Sequence, residues 1–132
     1  MVVEENAFEN GILTSGFIYR VVNNKVQNNI LTELRGNKYL LAIDDEKQWL
    51  NLSPVKYSTL DMYFHEPVNI QFVYTNMFQK VLPIVKAGDQ VYKLKLPDGS
   101  TNEFQYANGV CHKMIHRTTL YRTDIELKKI IR

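Results

Sequence analysis

The sequence predicts a mostly β member of the α+β class: a small barrel or strongly bent antiparallel sheet with two or three short helices. Three observations lead there. Runs rich in β-branched and aromatic residues recur along the chain, and such residues suit a pleated, half-buried surface. Turn residues interrupt these runs about every ten positions, the spacing of sandwiches and barrels. Near the end, Thr123-Asp124-Ile125-Glu126 matches the T-x-x-E pattern that caps a helix start. No internal repeat, low-complexity segment or Pro/Gly/Ser linker divides the 132 residues, so a single domain over 1–132 is expected.

The first half reads as a β-meander. A strand is expected from Gly11 to Val22, closed by Asn23-Asn24-Lys25, because Asn tolerates positive φ. Val26 to Leu34 follows as a second strand. Its Val26, Ile30 and Leu34 also fit one helix face, but Asn28-Asn29 in the middle disfavours a helix. Arg35-Gly36-Asn37 turns the chain into Lys38 to Ile43, an apolar run of the kind found in a central strand. Asp44 to Lys47 is a turn before the short strand Gln48 to Leu52.

Ser53-Pro54 has the form of a helix start, Ser as N-cap and Pro at the first helical position. Val55, Leu60, Tyr63 and Phe64 would share a face, and Pro67 would end the segment. A strand is expected over Asn69 to Thr75. The next stretch reads as neither helix nor central strand, since Pro83 interrupts both. Tyr92, Leu94 and Leu96 then alternate with Val91, Lys93 and Lys95. Pro97-Asp98-Gly99 makes a turn, and Phe104 and Tyr106 return on the apolar side with Glu103 and Gln105 opposite. Gly109 opens a last strand running to Tyr121, with Met114 and Leu120 on its buried face. The capped helix closes the chain, Asp124 near its positive end and Lys128, Lys129 and Arg132 near its negative end.

A lone cysteine, Cys111, rules out an internal disulfide and fits a reducing compartment. The opening MVVEENAFENG is acidic where a signal peptide would be basic, and no apolar run reaches membrane-spanning length. A cytoplasmic protein is expected. Twelve asparagines hint at a low-GC bacterium, its plasmid or its phage. The net charge of +2 is unevenly spread. Residues 1–110 hold 10 Lys/Arg against 12 Asp/Glu, and residues 111–132 hold 6 against 2. A basic end of that kind suggests an anionic partner.

His112 and His116 have metal-ligand spacing only on a helix. On a strand, four residues span about 13 Å, beyond the reach of one ion. Cys111 lacks an elbow or a helix N-terminus to activate it. Asp44-Asp45-Glu46 reads as a solvated turn before it reads as a cation site. Asp61, His65 and Glu66 read as a helix terminus before an acid–base group. No P-loop, G-x-G-x-x-G, G-x-S-x-G or C-x-x-C pattern occurs. No catalytic residue, metal or cofactor is therefore assigned.

What remains is a basic strip. On a regular strand Cys111, Lys113, Ile115, Arg117, Thr119 and Tyr121 share one face, and Val110, His112, Met114, His116, Thr118 and Leu120 the other. Arg122 follows at the corner, and Lys93 and Lys95 extend the strip if their strand pairs with this one. Lys93, Lys95, Lys113, Arg117 and Arg122 would meet phosphates, with Tyr121 stacking on an unpaired base. The expected function is a non-catalytic nucleic-acid-binding regulator, RNA or single strands favoured because no helix-turn-helix is visible. The alternative is a protein-binding inhibitor module of plasmid or phage type, using Tyr57, Tyr63, Phe64 and Phe78. A small enzyme stands third.

Overall fold

The structure, a computed structural model, describes residues 1–126. It resolves into two compact units, one formed by residues 1–60 and 74–80, the other by residues 61–73 and the chain from Val81 onward.

The first unit contains a five-stranded antiparallel meander in sequence order. Its strands are β1 (Val2–Glu9), β2 (Ile12–Val22), β3 (Lys25–Arg35), β4 (Lys38–Ile43) and β5 (Glu46–Leu50). The turns are tight because their residues accept positive φ. Asn23 and Asn24 lie at 52° and 62°, Asp44 and Asp45 at 49° and 70°. Paired left-handed residues match the right-handed twist of the flanking strands. Alternation buries one face: Leu13, Tyr39, Val55 and Tyr74 form one apolar cluster, and Ile18, Ile30 and Leu41 another. Two buried phenols are fully engaged. Tyr39 Oη donates to the Leu13 carbonyl at 2.9 Å and accepts the Val55 amide at 3.0 Å. Tyr74 Oη lies 3.0 Å from Thr32 Oγ1. Buried hydroxyls need such partners.

The helix expected after Ser53-Pro54 does not form. Residues 51–57 adopt no regular secondary structure, and Asp61–Tyr63 makes only a 3-10 turn. Val55 and Tyr57 are buried while Pro54 and Lys56 are exposed, a period of two. The backbone bonds run across the unit: Leu13 N to Val55 O, Tyr74 N to Tyr57 O and Thr59 N to Tyr74 O. These tertiary bonds outweigh a capping preference worth about 1 kcal/mol.

The second sheet has six antiparallel strands in the order β11-β10-β9-β8-β7-β6. They are β6 (Phe72–Thr75), β7 (Lys80–Gly88), β8 (Val91–Lys95), β9 (Thr101–Ala107), β10 (Val110–Arg117) and β11 (Arg122–Glu126). Pro83 sits within β7, exposed, just before the registered pairing with β8 begins at Ile84↔Leu94. Tyr92, Leu94, Phe104, Tyr106, Cys111 and Met114 are buried on the inner face. Tyr92 meets Tyr106 edge-on at 5.5 Å between ring centroids, and Tyr106 Oη donates to the Met62 carbonyl at 2.5 Å.

The fold class is thus corrected. Among the described residues the chain is nearly all β, 63% strand and 2% helical, in two antiparallel sheets. Among the described residues there is no α-helix and no closed barrel. The segment expected to open a capped helix is β11, paired with β10 from Lys113↔Glu126 to Arg117↔Arg122. Ile125 stands opposite Met114, and a ladder of that length outweighs a local cap. Lys128, Lys129 and Arg132, expected in the last turn of that helix, lie outside the described residues.

The last long strand also ends earlier than expected, at Arg117. Thr118 Oγ1 accepts the amides of Leu120 and Tyr121 and so folds a turn. Leu120, expected to be buried, is 90% exposed there.

Candidate functional site

Directly paired residues share a face of a sheet, so register fixes what stands together. Lys93 pairs with Glu103, Lys95 and Arg117 both pair with Thr101, and Arg117 pairs with Arg122. Lys113 pairs with Gln105. The five cations singled out in the sequence therefore lie on one face, the outer face of the second sheet. They sit on β8, β10 and β11. β8 and β10 do not pair with each other, since β9 lies between them.

Tyr121 does not join them. Its ring approaches His116 at 6.2 Å, and His116 lies on the opposite face, 2.6 Å from Asn102 through Nδ1. The faces of β10 also differ from simple alternation. A bulge between Cys111 and Lys113 shifts the register. Cys111 thereby joins Met114 on the buried face, and His112 is exposed at the bulge. Burial pushes the Cys111 thiol up, away from the reactive thiolate.

Three carboxylates that sequence reading did not connect with the strip lie among its cations: Glu126 stands opposite Lys113, and Glu103 and Asp124 are ion-paired. Glu103 Oε1 is 3.3 Å from Arg117 Nη1 and 3.9 Å from Lys93 Nζ. Asp124 is 2.7 Å from Arg122 and 3.5 Å from Lys113. Hydrogen bonding from Gln105, then the Arg117 guanidinium, holds Glu103 below the ordinary carboxylate range. Arg122 does the same for Asp124. Alternation in the hairpin around Pro97-Asp98-Gly99 already set Glu103 on the side of Lys93 and Lys95; the direct pairing of Glu103 with Lys93 was the step not taken.

These charges fall into rows across the sheet. One row runs Val85, Lys93, Glu103, Ile115, Asp124 and holds the two ion-paired carboxylates. The next contains Lys95, Thr101, Arg117 and Arg122 and no acid. Pro83 stands beside Lys95, one residue before the Ile84↔Leu94 pair. The Ile84 amide donates to the Gln71 carbonyl at 2.8 Å, which in an antiparallel pair sets Phe72 next to Pro83. Phe72 and Val85 are 57% and 58% exposed, while Val73 and Leu82 are buried on the other side. The acid-free row thus begins at an aromatic ring and ends at two arginines. Six strands at about 4.8 Å spacing make it about 24 Å long.

Two other features of these units are polar or concave. In the first unit Asn76 Nδ2 donates to Glu4 Oε2 at 3.0 Å and to Asn6 Oδ1 at 2.7 Å, and Asn6 Nδ2 donates to Ser58 Oγ at 2.7 Å. Burial pushes the Glu4 carboxyl up. Gly16 makes room for this cluster, since a Cβ there would stand 2.5 Å from Asn76 Oδ1. In the second unit a cleft of about 190 Å³ is lined by Pro67, Val68, Ile70, Ile84, Lys86 and Tyr92. Tyr92 Oη is committed to Glu66 at 2.7 Å, and burial followed by that carboxylate pushes the phenol up to about 12. Of the aromatics proposed for a protein partner, Tyr57 is buried and Phe64 is exposed.

Among the described residues no three His, Cys, Asp or Glu side chains gather as a metal site, and no helix is long and apolar enough to cross a membrane. Fold and face define an all-β protein built of hairpin meanders, with an ion-paired sheet surface on the second unit. The chain belongs to the family described as a domain of unknown function, DUF6134, whose model matches residues 3–128. No curated protein and no solved structure matches it significantly.

Proposed function

We propose that the chain is a non-catalytic, cytoplasmic binder of single-stranded nucleic acid, RNA above all, and that the strand lies along the acid-free row of the second sheet. The observation that carries this reading is the row itself. Lys95, Arg117 and Arg122 stand in one register row, the carboxylates that pair with the two arginines, Glu103 and Asp124, stand in the row beside it, and Phe72 stands at the far end. Cations track a phosphate backbone, and an exposed ring gives an unpaired base a stacking surface. Flat β-surfaces suit splayed single strands better than duplex grooves.

The ion pairs with Glu103 and Asp124 oppose binding only mildly. The Arg122–Asp124 pair is of the solvent-reached kind that contributes about 0–1 kcal/mol, Glu103 is more covered at 13% exposure, and each carboxylate is shared between two cations, so positive charge remains in surplus.

The test is a salt titration of binding to a short labelled oligouridine. Three phosphate contacts predict a slope of about −2 in log K against log salt. Arg117→Ala and Lys95→Ala should each reduce that slope by about 0.7. Phe72→Ala should cost about 1–3 kcal/mol with little change in slope. Glu103→Gln should tighten binding by releasing Lys93 and Arg117. If the folded protein binds no single strand at low salt, the row is a solvated sheet face and the reading fails.

A further inference from the structure

The outer face of the first sheet is apolar, and its register is self-complementary. Along one row stand Glu5, Phe17, Leu31, Ala42 and Lys47, one residue from each strand from β1 to β5. Along the next stand Ala7, Ser15, Glu33, Leu40 and Trp49. Phe17, Leu31, Leu40 and Ala42 are only partly covered, and Trp49 is 59% exposed. Phe17 and Tyr19 stack at 6.3 Å on this face. Beside them is a shallow cleft of about 90 Å³ lined by Leu31, Glu33, Arg35, Leu40, Ala42 and Lys47.

We infer that this face docks on the same face of a second copy of the chain, about a two-fold axis running along β3. The inference is independent of the nucleic-acid reading. Rotation about that axis reverses each row and keeps its level along the strands. Glu5 of one copy then faces Lys47 of the other, and Lys47 faces Glu5, so opposite charges meet at both borders. Phe17 faces Ala42, the smallest residue lining the cleft, so each ring enters the other copy's cleft. In the second row Trp49 faces Ala7, and Leu40 faces Ser15. Large residues meet small ones three times in each half, the self-complementarity an isologous interface requires. Glu33 meets itself near the axis, but its carboxylate is held by Arg35 of its own strand at 2.8 Å, which blunts the repulsion. Sheets packed face to face keep their strands within about 30° of each other, as this axis does.

Sedimentation velocity over a concentration series, at low salt, tests it. The wild type should show a reversible monomer–dimer equilibrium. Glu5→Lys and Lys47→Glu, both at exposed positions, should each weaken association about tenfold or more. The double variant should return to within about threefold of wild type, because the exchanged charges face each other again. A wild type that stays monomeric at every concentration overturns the inference and leaves the face to a different protein. A dimer indifferent to both reversals, or a double variant no better than the singles, overturns it too, since the copies then meet elsewhere.

Discussion

Glu4 is the carboxylate whose surroundings cost it most. It faces inward from β1, opposite Ile18, and the Asn76 amide is its hydrogen-bond donor. Burial raises its pKa, and that bond only partly offsets the effect. A raised folded-state value means the native protein holds this proton more readily than the unfolded chain. The destabilisation is therefore fully present above the raised value and disappears as pH falls towards the ordinary range near 4.5. Asp98, Glu103 and Asp124 have lowered values and act in the opposite sense, losing stability only at still lower pH. Comparing a variant with wild type at each pH cancels those contributions. Glu4→Gln keeps an acceptor for Asn76 and removes the charge. It should be as stable as wild type or more so at pH 7, with the gain gone near pH 4, measured by urea melts. A variant markedly less stable at pH 7 would mean the ionised carboxylate is needed. No sequence pattern announced Glu4, because its cost comes from burial in the folded unit, and the one bond that offsets it comes from Asn76, 72 positions away along the chain.

Elements were legible where a local rule governs them. The Asn23-Asn24 and Asp44-Asp45 turns, the alternation of Tyr92 with Lys93, and the return of Phe104 and Tyr106 all appear as strands and hairpins at the expected places. Where a local signal competed with a distant partner, the partner prevailed. The cap at Thr123 gave way to the β10 ladder, and the Ser53-Pro54 start gave way to bonds with Leu13 and Tyr74. The bulge at His112 could not be seen either, since alternation assumes one residue per step, and so Cys111 was placed on the wrong face. β10 supplies a paired prediction. Met114 is 5% exposed between Phe104 and Ile125, and Leu120 projects from the turn beyond the strand. Met114→Ala should cost about 2–5 kcal/mol. Leu120→Ala should stay within about 0.5 kcal/mol. Denaturant midpoints at constant m-value separate the two, and equal losses would contradict the turn at Thr118–Tyr121.

At the scale of the whole molecule, each strand within a sheet neighbours the strand before or after it in sequence. A chain of hairpins is the topology that turn-by-turn reading recovers best. Barrel closure is different. It depends on first and last strands meeting, a long-range pairing that alternation does not encode, and the described sheets stay open. The candidate site followed the same division: the sides of Lys93, Lys95, Glu103, Lys113 and Arg117 were readable from parity, whereas Arg122, Asp124 and Phe72 needed register. What holds such a chain together is burial of apolar and tyrosine side chains. Leu13, Tyr39 and Tyr74 do so in the first unit, and Leu94, Phe104 and Met114 in the second. A chain of this length buries about two thirds of its unfolded surface, enough to stand without a cross-link. Cys111 is buried and unbridged, and His112 and His116 stand apart on one strand. Thermal unfolding should therefore be the same with and without a strong chelator, and with and without a thiol reductant, within about 1–2 °C, a shift worth well under 1 kcal/mol for a protein of this size. Calorimetry on the purified protein, alongside elemental analysis, measures this. A stoichiometric metal whose removal lowers the midpoint by many degrees would place a structural ligand set where burial alone is argued to suffice.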